Sequence, residues 1–315
     1  MEIPVAEQYR ALTTECGRVD RASAGRLELL GADRHRFLNA YVTCDVKGLA
    51  SGHGAYGFFT SAQGRILSDA VVLAHEDRLW IELPPGQAEP TAGHLQKYLL
   101  ADRVELRTLD DQVPLSLVGP QCAAALGAPL PPEGAWRHQR AKVADVEVTV
   151  VRDGRFGVPA LTLWCAASDQ PRLQAALLAS IVEVGSATLD VVRVEAGVPW
   201  FGRDFGPENF PQETGLEEAV SYTKGCYLGQ EVVARIHYRG GVQKILRTLA
   251  FEPGQAPAPG TPLLSEDREA GVCGTVVDSP ARGRPIGLAI LHKRAAEPGT
   301  RLPFAGGEAV VLEQG

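Results

Sequence analysis

Clustered cysteines are absent from this 315-residue sequence. The six present are Cys16, Cys44, Cys122, Cys165, Cys226 and Cys273. They form no C-x-x-C pair and have no close histidine at zinc-site spacing. The scatter predicts a reducing compartment and no metal centre. It also predicts no ready-made iron–sulfur cluster site, because such sites take several thiolates from clustered positions.

Long apolar runs and an excess of positive charge are also missing. No apolar run approaches the ~18 residues that a membrane span needs, and the first residues lack both the basic and the apolar part of a signal peptide. We therefore expect a cytoplasmic protein without a membrane partner. The net charge is −7, with a pI near 5.6, which argues against a broad nucleic-acid-binding face. Motifs of the common hydrolases, kinases and zinc proteases are absent.

The hydrophobic pattern predicts an α+β protein of two or three domains. Residues 65–83 look like two strands joined by a polar turn, and residues 89–101 like a short helix with Leu95, Leu99 and Leu100 facing inward. Units of strand, strand and helix recur up to about residue 185, with a proline-rich break at 129–132. Past residue 240, short β-like runs separated by Gly and Pro predict a small C-terminal β-barrel or sandwich.

One motif is interpreted as a coincidence. Residues 52–57 read GHGAYG and match the dinucleotide fingerprint G-x-G-x-x-G. That fingerprint requires a strand before it and a helix after it. Here a strand, a turn and a second strand follow, so we do not expect a Rossmann site.

The segment KGCYLGQEVVARIHYRG, residues 224–240, carries the strongest chemical signal. A helix is expected to start near Gln230, which places Cys226 just before its N-terminus. The positive end of the helix and the nearby Lys224 would favour the thiolate form of Cys226. Alternatively, these residues have only a structural role: Cys226 is a small buried hydrophobic residue, and Glu231 and Arg235 form an ordinary ion pair on the helix surface.

A second signal is the acid near the end of a predicted helix. Ser186 is a plausible N-cap and Gly197 lies near the C-terminus, so Glu195 falls in the last turn. A carboxylate there opposes the helix dipole, which is unfavourable without another purpose. A solvent-exposed glutamate remains the plain alternative.

These residues resemble a known family. KGCYLGQEVVAR is similar to the signature of the YgfZ-type folate-binding proteins, relatives of the aminomethyltransferase (T-protein) of the glycine cleavage system. Further stretches agree in order: GADRHRFLNAYVTCDVKGL, YGFFTSAQGRILSDAVV, RVEAGVPWFGRDFGPENFPQETGLEEAVSYTKGCYLGQE and GVCGTVVDSP. The likeness covers residues 27–291. Its specific part is the KGCY-x-GQE element; the rest is shared with T-proteins.

The resemblance implies three sub-domains around a central opening for tetrahydrofolate or a one-carbon derivative. We expect a first α+β sub-domain at residues 1–115, joined by the site segment 186–240. A second α+β sub-domain is expected at residues 116–185 and a C-terminal β-barrel at residues 241–315.

The resemblance also assigns roles to residues. Glu195 matches the glutamate that hydrogen-bonds the pterin, and Tyr56 matches an aromatic position near the folate. Arg203 and Asp204 lie between these elements and are expected to line the same opening. Gln230, Glu231 and Arg235 are expected to contribute to cofactor binding by shaping the loop.

One departure bears on mechanism. T-proteins carry paired aspartates after the glycine turn of the hairpin, and here that pair reads Ser68-Asp69. The single remaining acid argues against aminomethyl transfer. T-proteins also lack the KGCY-x-GQE cysteine.

The leading prediction is a folate-binding accessory protein for iron–sulfur cluster assembly or repair, with iron–sulfur client or assembly proteins as partners and an indirect effect on tRNA modification. Its active thiolate would be Cys226, with Lys224 as electrostatic partner. Three alternatives stay open. The first is an aminomethyl- or methyltransferase that uses Asp69. The second is a thiol enzyme with His237 as base, and the third is a folate-free scaffold.

Overall fold

The computed structural model describes residues 3–178 and 180–313, and of Leu178 the backbone alone. The chain forms two compact units. Unit 1 comprises Met1–Thr60, Leu67–Leu189 and Glu218–Leu228. Unit 2 comprises Ser61–Ile66, Asp190–Glu217 and Gly229–Gly315.

Both helices and strands occur throughout the described residues. The α-helices are α1 Val5–Thr14, α2 Arg34–Asn39, α3 Ala88–Gln96, α4 Cys122–Leu126, α5 Gln170–Leu178, α6 Ser186–Glu195 and α7 Gln230–Arg235. The strands are β1 Gly17–Asp20, β2 Gly25–Leu30, β3 His53–Thr60, β4 Ile66–Ala74, β5 Arg78–Leu83, β6 Glu105–Thr108, β7 Gln112–Val118, β8 His138–Val143, β9 Val146–Arg152, β10 Ala160–Ala166, β11 Val182–Glu183, β12 Lys244–Phe251, β13 Pro262–Ser265, β14 Arg268–Ser279, β15 Arg284–His292, β16 Arg301–Phe304 and β17 Gly307–Val311. A π-helix, Ile236–Gly240, continues α7.

Unit 1 contains two sheets. The order of the first is β11-β1-β7-β10-β9-β8, and that of the second is β3-β4-β5-β2-β6. In β9, Val146, Val148 and Val150 alternate into the core beneath the first sheet, as the period of two in a strand requires. Val151 lies on the opposite face and packs with Trp164 and residues of the second sheet. Side chains from the two sheets thus share one apolar cluster.

Unit 2 contains a six-stranded antiparallel sheet in the order β13-β14-β15-β12-β17-β16. Its first and last strands, β13 and β16, approach each other, so the sheet nearly closes into a barrel. Leu249, Phe251 and Leu291 are fully buried inside it. The pairing of β14 with β15 shifts between Cys273 and Val276, which is a bulge of the kind that bends a strand. The predicted C-terminal barrel is confirmed.

The predicted hairpin over residues 65–83 is confirmed as β4 and β5. The predicted helix after it is α3, and Leu95 is buried as expected. The inward placement of Leu100 was wrong, because its side chain is 89% exposed. The helix ends at Gln96, so the helical spacing that predicted burial no longer applies four residues later.

The glycine-rich stretch at residues 52–57 leads into and forms part of β3, so the expectation that it is no Rossmann loop is confirmed. Its glycines permit close packing within unit 1. A Cβ on Gly54 would lie 2.9 Å from Trp136 Cβ, and one on Gly57 would lie 2.7 Å from Cys44 Sγ. Gly52 has a φ of +82°, which favours glycine.

The predicted sub-domain boundaries, at residues 115, 185 and 240, stay a prediction. Among residues 3–178 and 180–313, no helix is long and apolar enough to cross a membrane.

Candidate functional site

A strand of unit 1 carries a buried carboxylate with one oxygen that has no hydrogen-bond partner among the described residues. Asp69 lies on β4 and Tyr56 on the neighbouring β3, and the Tyr56 hydroxyl donates to Asp69 Oδ2 at 2.6 Å. The other oxygen, Oδ1, is buried and has no hydrogen-bond partner among the described residues. Burial raises the pKa of Asp69, against the opposing effect of the Tyr56 hydrogen bond. Burial and the nearby Asp69 charge raise the pKa of Tyr56 well above its usual value, so Tyr56 remains the donor.

Two arginines lie near this carboxylate, but both are bonded to other acids. Glu82 accepts from Arg21 at 2.8 Å and from Arg155 at 2.9 Å, and Asp153 accepts from Arg155 Nε at 3.0 Å. Burial acts to lower the pKa of Arg155, but Asp153 and Glu82 raise it overall. The two arginines and two acids balance in charge. When it is ionised, Asp69 therefore adds a further negative charge to a neutral buried cluster.

Trp136 completes this site and was missed by the sequence analysis. Its ring stacks on Tyr56 with a centroid distance of 5.8 Å and an interplanar angle of 20°, and the Arg155 guanidinium lies 5.6 Å from its centroid. Its φ of +61° is a conformation that bulky side chains rarely adopt. Strained residues of this kind cluster at functional sites. The signal in the sequence is a lone tryptophan directly after the proline-rich break.

The residues 221–228, here called the cysteine loop, belong to unit 1. Cys226 is exposed, whereas the other five cysteines are buried. The neighbouring Lys224 is buried, and its ammonium donates to three backbone carbonyl oxygens. These belong to Asn39 at 2.7 Å, Val42 at 2.8 Å and Cys44 at 2.7 Å. The hydrogen bonds of Lys224 thus go to backbone carbonyls, and its expected electrostatic effect on the Cys226 thiolate stays a prediction.

Helix α6 ends at Glu195, as predicted, and Gly197 follows it with a φ of +71°. The half-buried Glu195 Oε1 accepts hydrogen bonds from the Ser279 hydroxyl and, at 3.2 Å, from the Ala281 amide. These donors come from the end of β14 and the turn after it, within unit 2. They fix the orientation of the carboxylate. The predicted contact of Glu195 with a pterin stays a prediction.

Asp204 and Arg203 also lie in unit 2. The Asp204 side chain is fully buried; Oδ2 accepts from Arg193 Nη1 at 2.6 Å and from the Trp200 amide at 2.9 Å, and Oδ1 accepts from the Thr275 amide at 2.8 Å. Both oxygens are engaged, so these contacts give Asp204 a structural role. Arg203 is 46% exposed and pairs with Asp190 at 2.8 Å. Their predicted roles in cofactor binding stay predictions.

The predicted helix start at Gln230 is confirmed, with Gly229 before it at a φ of +82°. On α7, Glu231 and Arg235 are exposed. His237 lies in the π-helix that continues it, within unit 2. The predicted roles of Gln230, Glu231 and Arg235 in shaping a cofactor-binding loop stay predictions.

The structure brings some predicted site residues into contact. In unit 1, Tyr56 bonds Asp69, while Lys224 and Cys226 share the cysteine loop. In unit 2, Glu195 ends α6, the helix whose Arg193 bonds Asp204. No group of three or more His, Cys, Asp or Glu side chains in the described part of the chain is placed to hold a metal ion.

Known proteins resemble this chain along most of its length. A family model described as the GCVT N-terminal domain matches residues 1–224. An aminomethyltransferase of Halalkalibacterium halodurans is 25% identical over 310 residues, which are 95% of this chain and 84% of that protein. The tRNA-modifying protein YgfZ of Sodalis glossinidius is 28% identical over 237 residues, which are 75% of this chain and 71% of that protein.

The fold has a close counterpart among solved structures. The glycine cleavage system aminomethyltransferase T from Bartonella henselae matches with a TM-score of 0.88 at 21% identity, covering 98% of this chain and 88% of that one. The predicted α+β fold of the T-protein type is therefore confirmed. Because the family model spans more than half of the sequence, the chain belongs to the family of proteins that carry the GCVT N-terminal domain.

Proposed function

We propose that the protein binds tetrahydrofolate or a one-carbon derivative, and that it serves as a cytoplasmic accessory protein for iron–sulfur cluster assembly or repair. The observation that carries the folate part is the buried Asp69 Oδ1 without a partner among the described residues. A buried acceptor without a donor costs about 1–3 kcal/mol, and more when it is charged. A ligand that brings an N–H donor to this oxygen recovers that free energy.

The residues around Asp69 fit a reduced folate. The pterin presents N–H donors on a flat ring, and a carboxylate accepts such donors in a strong, charge-assisted arrangement. Tyr56 holds Asp69 through Oδ2 and leaves Oδ1 for the ligand. The stacked rings of Tyr56 and Trp136 supply the kind of apolar surface that lines small-molecule sites.

The bound folate would supply the carrier nitrogen for a one-carbon group. In unit 1, the protein would supply Asp69 as acceptor and Tyr56 as the donor that fixes it. In unit 2, taken by itself, Glu195 is proposed as a carboxylate that accepts from a pterin and Arg203 as a folate contact, with Gln230, Glu231 and Arg235 shaping the loop there.

The iron–sulfur part rests on Cys226. It is the exposed cysteine, and a thiolate is a soft ligand and a good nucleophile toward iron–sulfur centres. One thiolate cannot hold a cluster alone, so the remaining ligands must come from a client or assembly protein. Any effect on tRNA modification would pass through such clients, in keeping with the net charge of −7.

Calorimetric titration with tetrahydrofolate under anaerobic, reducing conditions tests the folate part. Asp69→Asn keeps an oxygen that accepts from Tyr56 but replaces the buried Oδ1 by an NH₂ group, which cannot accept a hydrogen bond from the ligand. We expect at least tenfold weaker binding. Glu195→Ala should also weaken binding. The matched control is Asp77→Asn, an acid on the turn after β4 whose side chain is 65% exposed. Equal affinities for wild type and Asp69→Asn would remove Asp69 from the site.

The iron–sulfur part needs a cellular test. In cells without the gene, we expect reduced activity of an iron–sulfur dehydratase, restored by wild type and not by Cys226→Ser. A dehydrogenase that contains no iron–sulfur cluster serves as the control. Full restoration by Cys226→Ser would contradict the proposal and favour a scaffold role.

A second candidate function is folate-dependent aminomethyl or methyl transfer. It is favoured by the buried Asp69, with its raised pKa, and by the likeness to an aminomethyltransferase over 95% of the chain. Incubation with tetrahydrofolate and an aminomethyl donor should then produce methylene-tetrahydrofolate and ammonia. An Asp69→Asn protein should lose this turnover. Absence of product from wild type removes this candidate without affecting the binding proposal.

A further inference from the structure

We propose that Lys224 is a positioning residue, whose ammonium group holds the cysteine loop on the chain segment that follows α2 and thereby fixes Cys226 at the surface. This inference deepens the proposed function, since it rests on Cys226 being the working thiol. It is separate from the expectation that Lys224 acts on the thiolate directly.

The three acceptors of Lys224 make a site built for an ammonium group. The oxygens of Asn39, Val42 and Cys44 lie 2.7–2.8 Å from Nζ, and an ammonium has three N–H donors and no acceptor. The carbonyl of Asn39 is at the C-terminal end of α2, where a positive charge is favourable. The Tyr227 ring lies 5.2 Å from Nζ and adds a cation–π contact.

Burial lowers the pKa of Lys224 to about 8, while Cys44 and Asp45 oppose that shift. The group is therefore mainly an ammonium at pH 7 and can donate all three hydrogen bonds at once. A neutral amine would have only two N–H donors for three acceptors.

The ends of the cysteine loop are attached to the same part of unit 1. The Ser221 amide donates to Thr43 O at 2.9 Å, and the Leu228 amide donates to Ala40 O at 2.9 Å. The Thr60 hydroxyl donates to Leu228 O at 2.6 Å. Lys224 is thus the central attachment between two fixed ends.

Cys226 lies between Lys224 and the fixed Leu228, two residues from each. A Cβ on the intervening Gly225 would meet nothing within 4 Å, so this part of the loop is open. Removal of the central attachment should free the exposed residues of the loop while its ends stay bound.

The first test uses Lys224→Ala and hydrogen exchange. We expect backbone amides of residues 222–227 to exchange at least tenfold faster than in wild type. Lys47→Ala, an exposed lysine on the adjacent turn, is the matched control and should change nothing. If Lys224→Ala does not fold, Lys224→Met keeps most of the side-chain volume without the ammonium, and the same exchange is expected. Unchanged exchange in both variants would overturn the proposal.

The second test asks whether the charge, rather than the packing, holds the loop. In Lys224→Ala, n-propylammonium at millimolar concentration should restore slow exchange, because it replaces the missing part of the side chain. The neutral isostere n-propanol should not. Equal restoration by both compounds would assign Lys224 a packing role and refute the positioning role of its charge.

The third readout is the thiol itself. We measure the rate of Cys226 alkylation by a bulky maleimide and divide it by the rate with iodoacetamide. In Lys224→Ala this ratio should shift at least threefold from the wild-type value toward the value for the urea-unfolded chain. Tetrahydrofolate titration of the same protein separates the two proposals. Absence of folate binding by wild type counts against the proposed function alone, while an unchanged alkylation ratio counts against Lys224.

Discussion

Removal of Arg193, near the end of α6, should destabilise the protein strongly through electrostatics. Its fully buried guanidinium donates to Asp190 at 2.7 Å, to Asp204 at 2.6 Å and to the Thr275 hydroxyl at 2.6 Å. The Trp200 ring lies 4.7 Å from it. All these residues belong to unit 2, and Glu195 is two residues further along the same helix.

Arg193→Met removes the cation and leaves two acids whose side chains are 6% and 0% exposed. Breaking a buried ion pair in this way costs about 3–5 kcal/mol, because the remaining charge stays in a poorly solvated place. Typical domains have only about 5–15 kcal/mol of stability. We therefore expect a large fall in the urea concentration at the midpoint of unfolding. Tryptophan fluorescence measures this transition.

The structure offers a close control. Arg203 pairs with the same Asp190 at 2.8 Å but is 46% exposed, so Arg203→Met should cost less than about 1 kcal/mol. Similar losses in the two variants would refute the reasoning that burial sets the cost. In Arg193→Met, a further Asp204→Asn substitution should recover part of the stability, since it removes the unpaired charge and keeps an acceptor for a backbone amide. Folate titration of folded Arg203→Met then tests the predicted binding role of Arg203.

Two further predictions concern the candidate site and the cysteine segment. Because burial raises the pKa of Asp69, stability from its protonated form is present below about pH 4 and is lost as pH rises through the raised pKa. The asparagine of Asp69→Asn does not titrate, so the melting temperature of the variant should rise relative to that of wild type between pH 4 and pH 7. A difference between the two melting temperatures that stays constant with pH would count against the buried charge. Gly229→Ala should cost more than about 1 kcal/mol, because φ is +82° and the new Cβ would lie 2.3 Å from a carbonyl oxygen. Gly225→Ala, in open space, should stay within about 0.5 kcal/mol of wild type in the same urea titration, and equal losses would contradict this.

Local patterns predicted most of the secondary structure. The hairpin of β4 and β5, helix α3 and the barrel strands follow from alternation, helical spacing and Gly/Pro punctuation, which act over a few residues. Leu100 shows the limit of this reasoning, because helical spacing says where a side chain points only while the helix lasts. The end of α3 carries no glycine or proline that would have marked it.

The contacts of the site residues were not predictable in the same way. The acceptors of Lys224 are backbone carbonyls some 180 residues earlier in the chain, and every residue has such a carbonyl, so no sequence signal identifies them. Trp136 contacts Tyr56 only because side chains of the two sheets of unit 1 pack together. Sequence reasoning found the residue types that perform chemistry, but the fold alone determines which of them meet.

Asp69 nevertheless left a signal in the sequence that physical reasoning can use. It is an acid inside the strand ILSDAVVLA, where the neighbouring side chains are buried. The arginines that could neutralise it are bonded to Glu82 and Asp153, so an ionised Asp69 lowers the stability of the protein. An uncharged residue in its place would give a more stable strand. Local rules are broken at a cost mainly where function requires it, and the buried Asp69 Oδ1 without a partner among the described residues is therefore the observation on which the folate proposal rests.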